Sequence, residues 1–363
     1  MPKNNFLSTC VLLPLSKLYG LGVGMRNLMF KWGVLKQRDF GVPVVVVGNI
    51  VAGGTGKTPH TEYVLDLLKF KYHIGMLSRG YKRKTKGFVL ATRRSTPEDI
   101  GDEPFQIYRK FGRDVTVAVC EDRCVGIEEM LRIDPKINLI VLDDAFQHRY
   151  VKPTVSVVLT EFNNPIFYDH LLPYGRLREP HNAIYRADMV VVTKCPPQLK
   201  ALEYRIFKNN LKLFPYQKLF FSAFDYGALV PLFPEEAPAQ APHLSWLTPS
   251  DSVMVLAGIA NPKPLVKYVK GFAAKVKVKV YPDHHNFTKR DMETISRLYG
   301  MLPGDRRLIV TTEKDAVRLA ANPHFPKELK SRVFYLPVKV KFDPHNVDSF
   351  DLELQKALLN AIR

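Results

Sequence analysis

The chain has 363 residues, 46% hydrophobic and 24% charged, a globular balance that excludes a disordered tail, a collagen-like repeat and a disulfide scaffold. Lys and Arg total 53 against 35 Asp and Glu, a net charge of +18, which favours polyanionic partners: nucleic acid, anionic membrane or phosphorylated substrates. The length predicts two domains.

Residues 1–38 hold no acid but carry Lys3, Lys17, Arg26, Lys31, Lys36 and Arg38. Pro14 and Lys17 break the short apolar run that a secretory signal would need. Lys17, Arg26 and Lys31 interrupt every window of the roughly 20 apolar residues that a spanning helix needs. Leu15, Leu18, Tyr19, Gly22, Met25, Met29 and Trp32 recur at helical steps, so a basic amphipathic helix is expected, although Gly20, Gly22 and Gly24 lower its propensity. Such a helix packs on its own domain or lies in a membrane interface.

Residues 44–50 form a β-branched run suited to a buried parallel strand. A helix is expected over 58–69. Strands are expected over 73–77, 115–119, 138–143, 155–160 and 189–193, with a helix over 122–132 between two of them. This alternation predicts a parallel α/β sheet. Two short extended segments are expected within 220–233, then a Pro/Ala-rich boundary over 231–242. A second α/β set follows, with strands over 253–258, 275–281, 307–311 and 333–338 and helices over 262–272 and 288–299. The expected organisation is an N-terminal helix region (1–40), a phosphate-loop core (41–220), a linker (221–245) and a smaller α/β domain (246–363).

Between the first strand and its helix stand Gly53, Gly54, Thr55, Gly56, Lys57 and Thr58. Glycines let backbone N–H groups turn toward phosphate oxygens, and a helix N-terminus adds its positive dipole end. Lys57 is placed to reach the β/γ phosphates and Thr58 to hold Mg²⁺. The strict pattern has glycine where Val51 stands. Asp143 and Asp144 end an apolar strand, as do the acids that support Mg²⁺ in phosphate-loop proteins, and Asp143 is the better metal candidate.

Asp102 and Glu103 stand in a turn before a helix, as caps or as a general base for an alcohol nucleophile. Five basic residues lie between Arg79 and Lys86, and Arg176 and Arg178 form a second basic loop; both read as solvated loops or phosphate clamps. His284 and His285 are adjacent, organise no metal site, and leave one imidazole open to pair with a carboxylate. Thr312 to Asp315 reads as a capping segment. The cysteines Cys10, Cys120, Cys124 and Cys195 show no CxxC pair and read as buried reduced thiols.

In order, these motifs resemble one family along nearly the whole chain: the tetraacyldisaccharide 4'-kinases, lipid A 4'-kinases of Gram-negative bacteria. The matching blocks are Pro14 to Gly20, Val47-Gly48-Asn49, Gly53 to Pro59, Ser78 to Tyr81, Gly101 to Pro104, Asp143 to His148, Arg178-Glu179-Pro180, Asp283-His284 and Thr312 to Val317. The missing first loop glycine is usual for that family. Ala145 and Lys82 stand where it commonly has glycine; a different turn is expected after Asp144, while the rest of the Lys82 loop matches. The resemblance implies transfer of the ATP γ-phosphate to the 4'-hydroxyl of a tetraacyldisaccharide 1-phosphate at the cytoplasmic face of the inner membrane. It implies ATP and Mg²⁺ at Lys57, Thr58, Asp143 and Asp144, with Asp102 as base and His284 as its partner across a domain cleft. Arg79, Arg123 and Arg178 become candidates for substrate or nucleotide phosphates. Glu103, Gln147 and His148 fall near the site without a role.

A lipid acceptor makes the N-terminal helix a membrane-surface element, peripheral or monotopic, and the positive charge suits anionic lipid. No obligate protein partner and no nucleic acid are expected, since no nucleic-acid-binding signature is present. The loop and Asp143 alone would also suit a phosphate-loop NTPase working as a switch or motor.

Overall fold

The computed structural model describes residues 6–238, 242–304 and 306–362; Lys3 and part of the Pro/Ala stretch, 239–241, lie outside them. In chain order the elements are α1 (Phe6–Lys31), β1 (Val44–Asn49), α2 (Lys57–Leu68), β2 (Ile74–Ser78), β3 (Val89–Leu90), α3 (Pro97–Ile100), α4 (Asp102–Phe111), β4 (Val115–Val119), α5 (Arg123–Ile133), β5 (Leu139–Asp143), β6 (Val155–Glu161), β7 (Met189–Thr193), α6 (Ala201–Leu211) and β8 (Lys218–Tyr226). Then come β9 (Val230–Pro231), β10 (Ser252–Ala257), α7 (Lys263–Lys270), β11 (Lys275–Val280), α8 (Lys289–Gly300), β12 (Arg307–Thr312), α9 (Glu313–Ala320), β13 (Val333–Leu336), β14 (Val338–Phe342) and α10 (Phe350–Ile362).

The chain divides into two units, residues 1–224 with 340–363, and residues 225–339. This differs from the expected boundaries. The run expected as one strand over 333–338 breaks at Pro337: β13 ends in the small sheet and β14 begins in the large one. Phe350, Leu354 and Leu358 of α10 then bury against the first unit's core, so the last 24 residues belong there. The expected linker is structured in part, since β9 pairs antiparallel with β13.

The first unit holds a nine-stranded sheet in the order β14-β8-β7-β6-β1-β5-β2-β4-β3. From β8 to β4 all neighbours are parallel, and β3 adds an antiparallel edge. The period-2 pleat sends Val44 and Val46 into one core and Val45 and Val47 into the other. α2, α4 and α10 cover the second of these faces, while α5 and α6 cover the first. A sheet buried on both sides explains the uninterrupted apolar strands. β1 lies between β5 and β6, with Val47 in register with Asp143, so the loop after β1 and the acids after β5 emerge side by side. The carboxyl ends of such strands are where open α/β sheets bind ligands.

The second unit is a five-stranded sheet, β11-β10-β12-β13-β9, with α7, α8 and α9 on its faces.

α1 is a continuous helix despite Pro14 and three glycines. Tertiary contacts outweigh propensity: a Cβ on Gly20 would stand 2.7 Å from Leu171 Cδ1, so glycine permits a close approach. Ser16 Oγ donates to the Leu171 carbonyl, Tyr19 Oη to the Arg178 carbonyl and Asn27 Nδ2 to Glu179 Oε2. Leu15, Leu18, Tyr19, Leu21, Met25, Leu28 and Trp32 remain exposed. Among the described residues no helix is long and apolar enough to cross a membrane. Cys120, Cys124 and Cys195 are buried as expected, but Cys10 on α1 is exposed.

Candidate active site

The phosphate loop is built by its backbone and held from outside by side chains. Gly56 takes φ 89° at the N-cap of α2, and a Cβ there would meet Phe224 Cζ at 2.5 Å, so only glycine fits. Gly53 also has a positive φ, 122°, with open space beside it. Three successive carbonyls of this loop accept hydrogen bonds. Lys194 Nζ, itself paired with Glu161, donates to Gly54 O. Thr193 Oγ1 donates to Thr55 O at 2.8 Å, and His60 Nδ1 lies 2.8 Å from Gly56 O. A carbonyl only accepts, so His60 carries its proton on Nδ1, and Nε2 accepts from Ser222 Oγ at 2.9 Å. Burial pushes the His60 pKa down to about 4, which keeps the ring neutral. In a trans peptide C=O and N–H point oppositely. Binding these carbonyls therefore fixes which way the following N–H groups face.

Asn49 Nδ2 donates to Thr55 Oγ1 at 2.7 Å from the end of β1. Gln147 Nε2 donates to Asn49 O at 2.7 Å, and Arg26 of α1 donates to Gln147 O at 3.0 Å. Gln147 thus braces the loop. None of His60, Thr193, Lys194 and Glu161 was singled out by the sequence. The only signal was position: one helical turn past the loop, or at a strand end.

Asp143 is buried and accepts from Thr61 Oγ1 at 2.9 Å. Burial, then the neighbouring Asp144 charge, pushes its pKa up to about 6, against the pull of Lys57 and Thr61; Glu103 adds a smaller repulsion. Asp144 lies 3.7 Å from Lys57 Nζ and 3.3 Å from Arg178. The structure therefore brings together Lys57, Asp143, Asp144 and Arg178, with Glu103 close enough to be felt. It also resolves the two glycine substitutions. Asp144 itself, not Ala145, takes the left-handed conformation (φ 47°), so alanine follows without strain. Lys82 does take φ 62°, a conformation in which glycine costs less.

Asp102 opens α4 and is buried. Gly101 before it has φ 89°, and a Cβ there would lie 3.0 Å from Tyr81 O, so the α4 start packs on the 80–81 turn. Arg79 is exposed. Arg83 and Lys84 of the same basic loop are spent on Glu121 and Glu98. Arg123 is buried, its NH1 group donates to Cys120 O and Glu121 O at 3.0 Å, and burial lowers its pKa. His148 is pushed down to about 4 by burial and then by Arg123.

His284 belongs to the second unit, where it takes φ 61° after β11. Its Nδ1 lies 2.8 Å from an Arg318 guanidinium nitrogen and its Nε2 2.9 Å from Lys314 Nζ. His285 turns away to Asp291 Oδ2 at 3.0 Å. Thr312 caps α9 as expected, and Asp315 is buried beneath it, accepting from the Gly258 N–H at 2.8 Å.

A sequence model of the tetraacyldisaccharide-1-P 4'-kinases matches residues 8–357. The chain is 46% identical over 346 residues to a tetraacyldisaccharide 4'-kinase of Bacteroides thetaiotaomicron, covering 94% of this chain and 90% of that one. It is 47% identical over 344 residues to that of Porphyromonas gingivalis, covering 93% and 94%. Among solved structures it is similar to LpxK from Aquifex aeolicus, crystallised in complex with ATP, with a TM-score of 0.71, 28% identity and coverage of 97% and 98%. These findings bear out the kinase reading and leave the switch or motor without support. The chain belongs to the tetraacyldisaccharide 4'-kinase family, phosphotransferases of lipid A biosynthesis.

Proposed function

We propose that the first unit binds ATP on the loop of Gly53, Gly54, Thr55, Gly56, Lys57 and Thr58, and that Asp102 deprotonates the 4'-hydroxyl of the lipid acceptor. The observation that carries this is the buried Asp143 carboxylate, pressed against a second carboxylate and the loop lysine. Two carboxylates and the Thr58 hydroxyl are a hard oxygen set that fits Mg²⁺, and a dication there would relieve the repulsion that raises Asp143. Bound Mg²⁺ supplies charge neutralisation on the β- and γ-phosphate oxygens.

Lys57 adds the second cation on those oxygens, and Arg178 holds Asp144 in place. The acceptor oxygen bonds to the γ-phosphorus as the bond to the bridging β–γ oxygen breaks. ADP leaves, and the hydroxyl proton passes to Asp102. A carboxylate in the first turn of α4 is favoured by the helix dipole. His284, on the second unit, is assigned by resemblance to support that proton transfer. Arg79 and Arg123 are assigned to phosphate groups on the same ground; the geometry suits exposed Arg79 to direct contact and buried Arg123 to positioning.

The exposed apolar side of α1 suits seating in an anionic membrane surface, where the acceptor's acyl chains lie. ATP as donor supports a cytoplasmic face, and the family resemblance supports the inner membrane. The test is transfer from γ-labelled ATP to a tetraacyldisaccharide 1-phosphate in mixed micelles. Wild type is expected to yield labelled bisphosphorylated lipid, and Asp102→Asn to lose about 10²–10⁴-fold in kcat while still binding nucleotide. Label released only as free phosphate, or an unimpaired Asp102→Asn, overturns the assignment.

A further inference from the structure

Three side chains outside the phosphate loop converge beside Arg123. Asp122 and Cys124 flank it at the start of α5, and His148 comes from the turn after β5. One ligand atom from each lies within 4.8 Å of the other two. Asp122 caps α5 by accepting from Cys124 N at 2.8 Å, which fixes the carboxylate beside the thiol. The His148 turn is closed by its own N–H on Ala145 O at 2.8 Å.

Capping accounts for Asp122, and burial in an apolar core accounts for Cys124. Neither accounts for His148 Nε2, which is buried without a hydrogen-bond partner among the described residues. An orphaned polar atom of this kind carries a desolvation cost that a partner would remove. It stands 3.8 Å from Asp122 Oδ1, too far for a hydrogen bond. Two ligands at about 2.0–2.1 Å from one tetrahedral zinc stand roughly 3.4 Å apart. The spacing is therefore close to that of two ligands sharing an ion.

We propose that Asp122, Cys124 and His148 form a three-ligand site for a borderline-soft divalent cation, zinc above all, with solvent as fourth ligand. Thiolate and imidazole select zinc over Mg²⁺, which takes oxygen ligands. Arg123, Arg26 and Arg79 raise the potential at His148 against Asp122, while at Cys124 Asp122 and Glu128 lower it against Arg38. The arginines at the imidazole end oppose a dication, so the site requires the thiolate as well as the carboxylate. Their two negative charges balance the ion, and the thiol proton leaves to solvent on binding. The ion would tie the first turn of α5 to the segment that follows Asp144. It would thereby fix Arg123 between two of its own ligands.

The probe is Co²⁺, then Zn²⁺, added to chelator-stripped full-length protein. One equivalent of Co²⁺ is expected to give a near-ultraviolet thiolate-to-metal charge-transfer band, and Zn²⁺ to displace it. Zn²⁺ should raise the melting temperature of wild type and do so far less in Cys124→Ser. Zinc affinity, measured against a chromophoric chelator, should fall at least tenfold in Cys124→Ser and in His148→Gln, each checked for native circular dichroism. Asp143→Asn serves as control for the Mg²⁺ position and should keep the band. No band in wild type, or zinc binding that survives Cys124→Ser and is lost in Asp143→Asn, overturns the proposal.

Discussion

The phosphate loop and the His284 turn solve the same problem in opposite ways. Both follow a parallel strand, β1 in one unit and β11 in the other, and both contain a residue in the left-handed region. The loop does its work with main chain, and its three carbonyls are held by Lys194, Thr193 and His60 from other elements. In the proposed mechanism the turn acts through one imidazole, which Lys314 and Arg318 of α9 contact. The direction of main-chain groups is set by what holds them, so part of the loop's tuning lies in remote residues beyond its own Lys57 and Thr58. A side-chain site is tuned where it stands.

The largest expected effect tests the second half of that contrast. His284→Ala should remove most of its function at a stroke, lowering kcat for lipid phosphorylation about 10²-fold or more, with KM for ATP nearly unchanged. An equal rise in KM for ATP would place the imidazole in nucleotide binding and dissolve the contrast. The first half predicts a milder and different signature. His60→Phe or Lys194→Met should raise KM for ATP about tenfold, the worth of one buried hydrogen bond, with little change in kcat. Loss of kcat alone would mean that the outer donors do more than orient the loop.

Asp143 sharpens the comparison through pH. Its pKa is raised from 3.8 to about 6 in the folded protein, so the folded state binds the proton more tightly than the unfolded chain. The associated stability is fully present below pH 3.8 and is lost as pH rises through about 6. Asp143→Asn should therefore stabilise the nucleotide-free protein at pH 8, by about 3 kcal/mol at most, and leave it unchanged near pH 4. Paired melting curves at the two pH values measure this. A variant less stable at pH 8 than wild type would show that the buried charge is already compensated. The smallest effect concerns backbone alone: Lys82→Gly should raise stability by about 1 kcal/mol, since the lysine is held in a left-handed conformation. Thermal unfolding decides it, and a destabilised variant would show that the side chain is needed there.

Much of this architecture was legible in the residues. The valine run of β1, the glycines before Lys57 and the acids ending β5 each carry a local signal, and Val115–Val119 and Met189–Thr193 fall where their composition placed them. What was hidden depends on tertiary neighbours. Nothing in the local sequence marks Lys194 as reaching a glycine carbonyl 140 residues away. The break at Pro337 was visible as a proline, but the sheet that each flanking strand joins was not. For the same reason the burial of Arg123, a candidate for phosphate contact by resemblance, is not marked in its local sequence.

One chain of contacts joins parts of the molecule that would otherwise be considered separately. Arg26 on α1 holds Gln147, Gln147 holds the Asn49 carbonyl, and Asn49 holds Thr55 inside the phosphate loop. Seen as a mechanical linkage, α1 is a lever whose short arm ends at Thr55 of the phosphate loop. Prying the helix from its seat at Arg26 removes a brace from the loop, and a loop clamped on phosphate steadies the helix in return. On the proposed reading α1 seats on lipid and the loop holds ATP; a surface that disturbs the Arg26–Gln147 contact then changes the affinity for ATP, and by thermodynamic reciprocity bound ATP changes the affinity for the surface by the same factor.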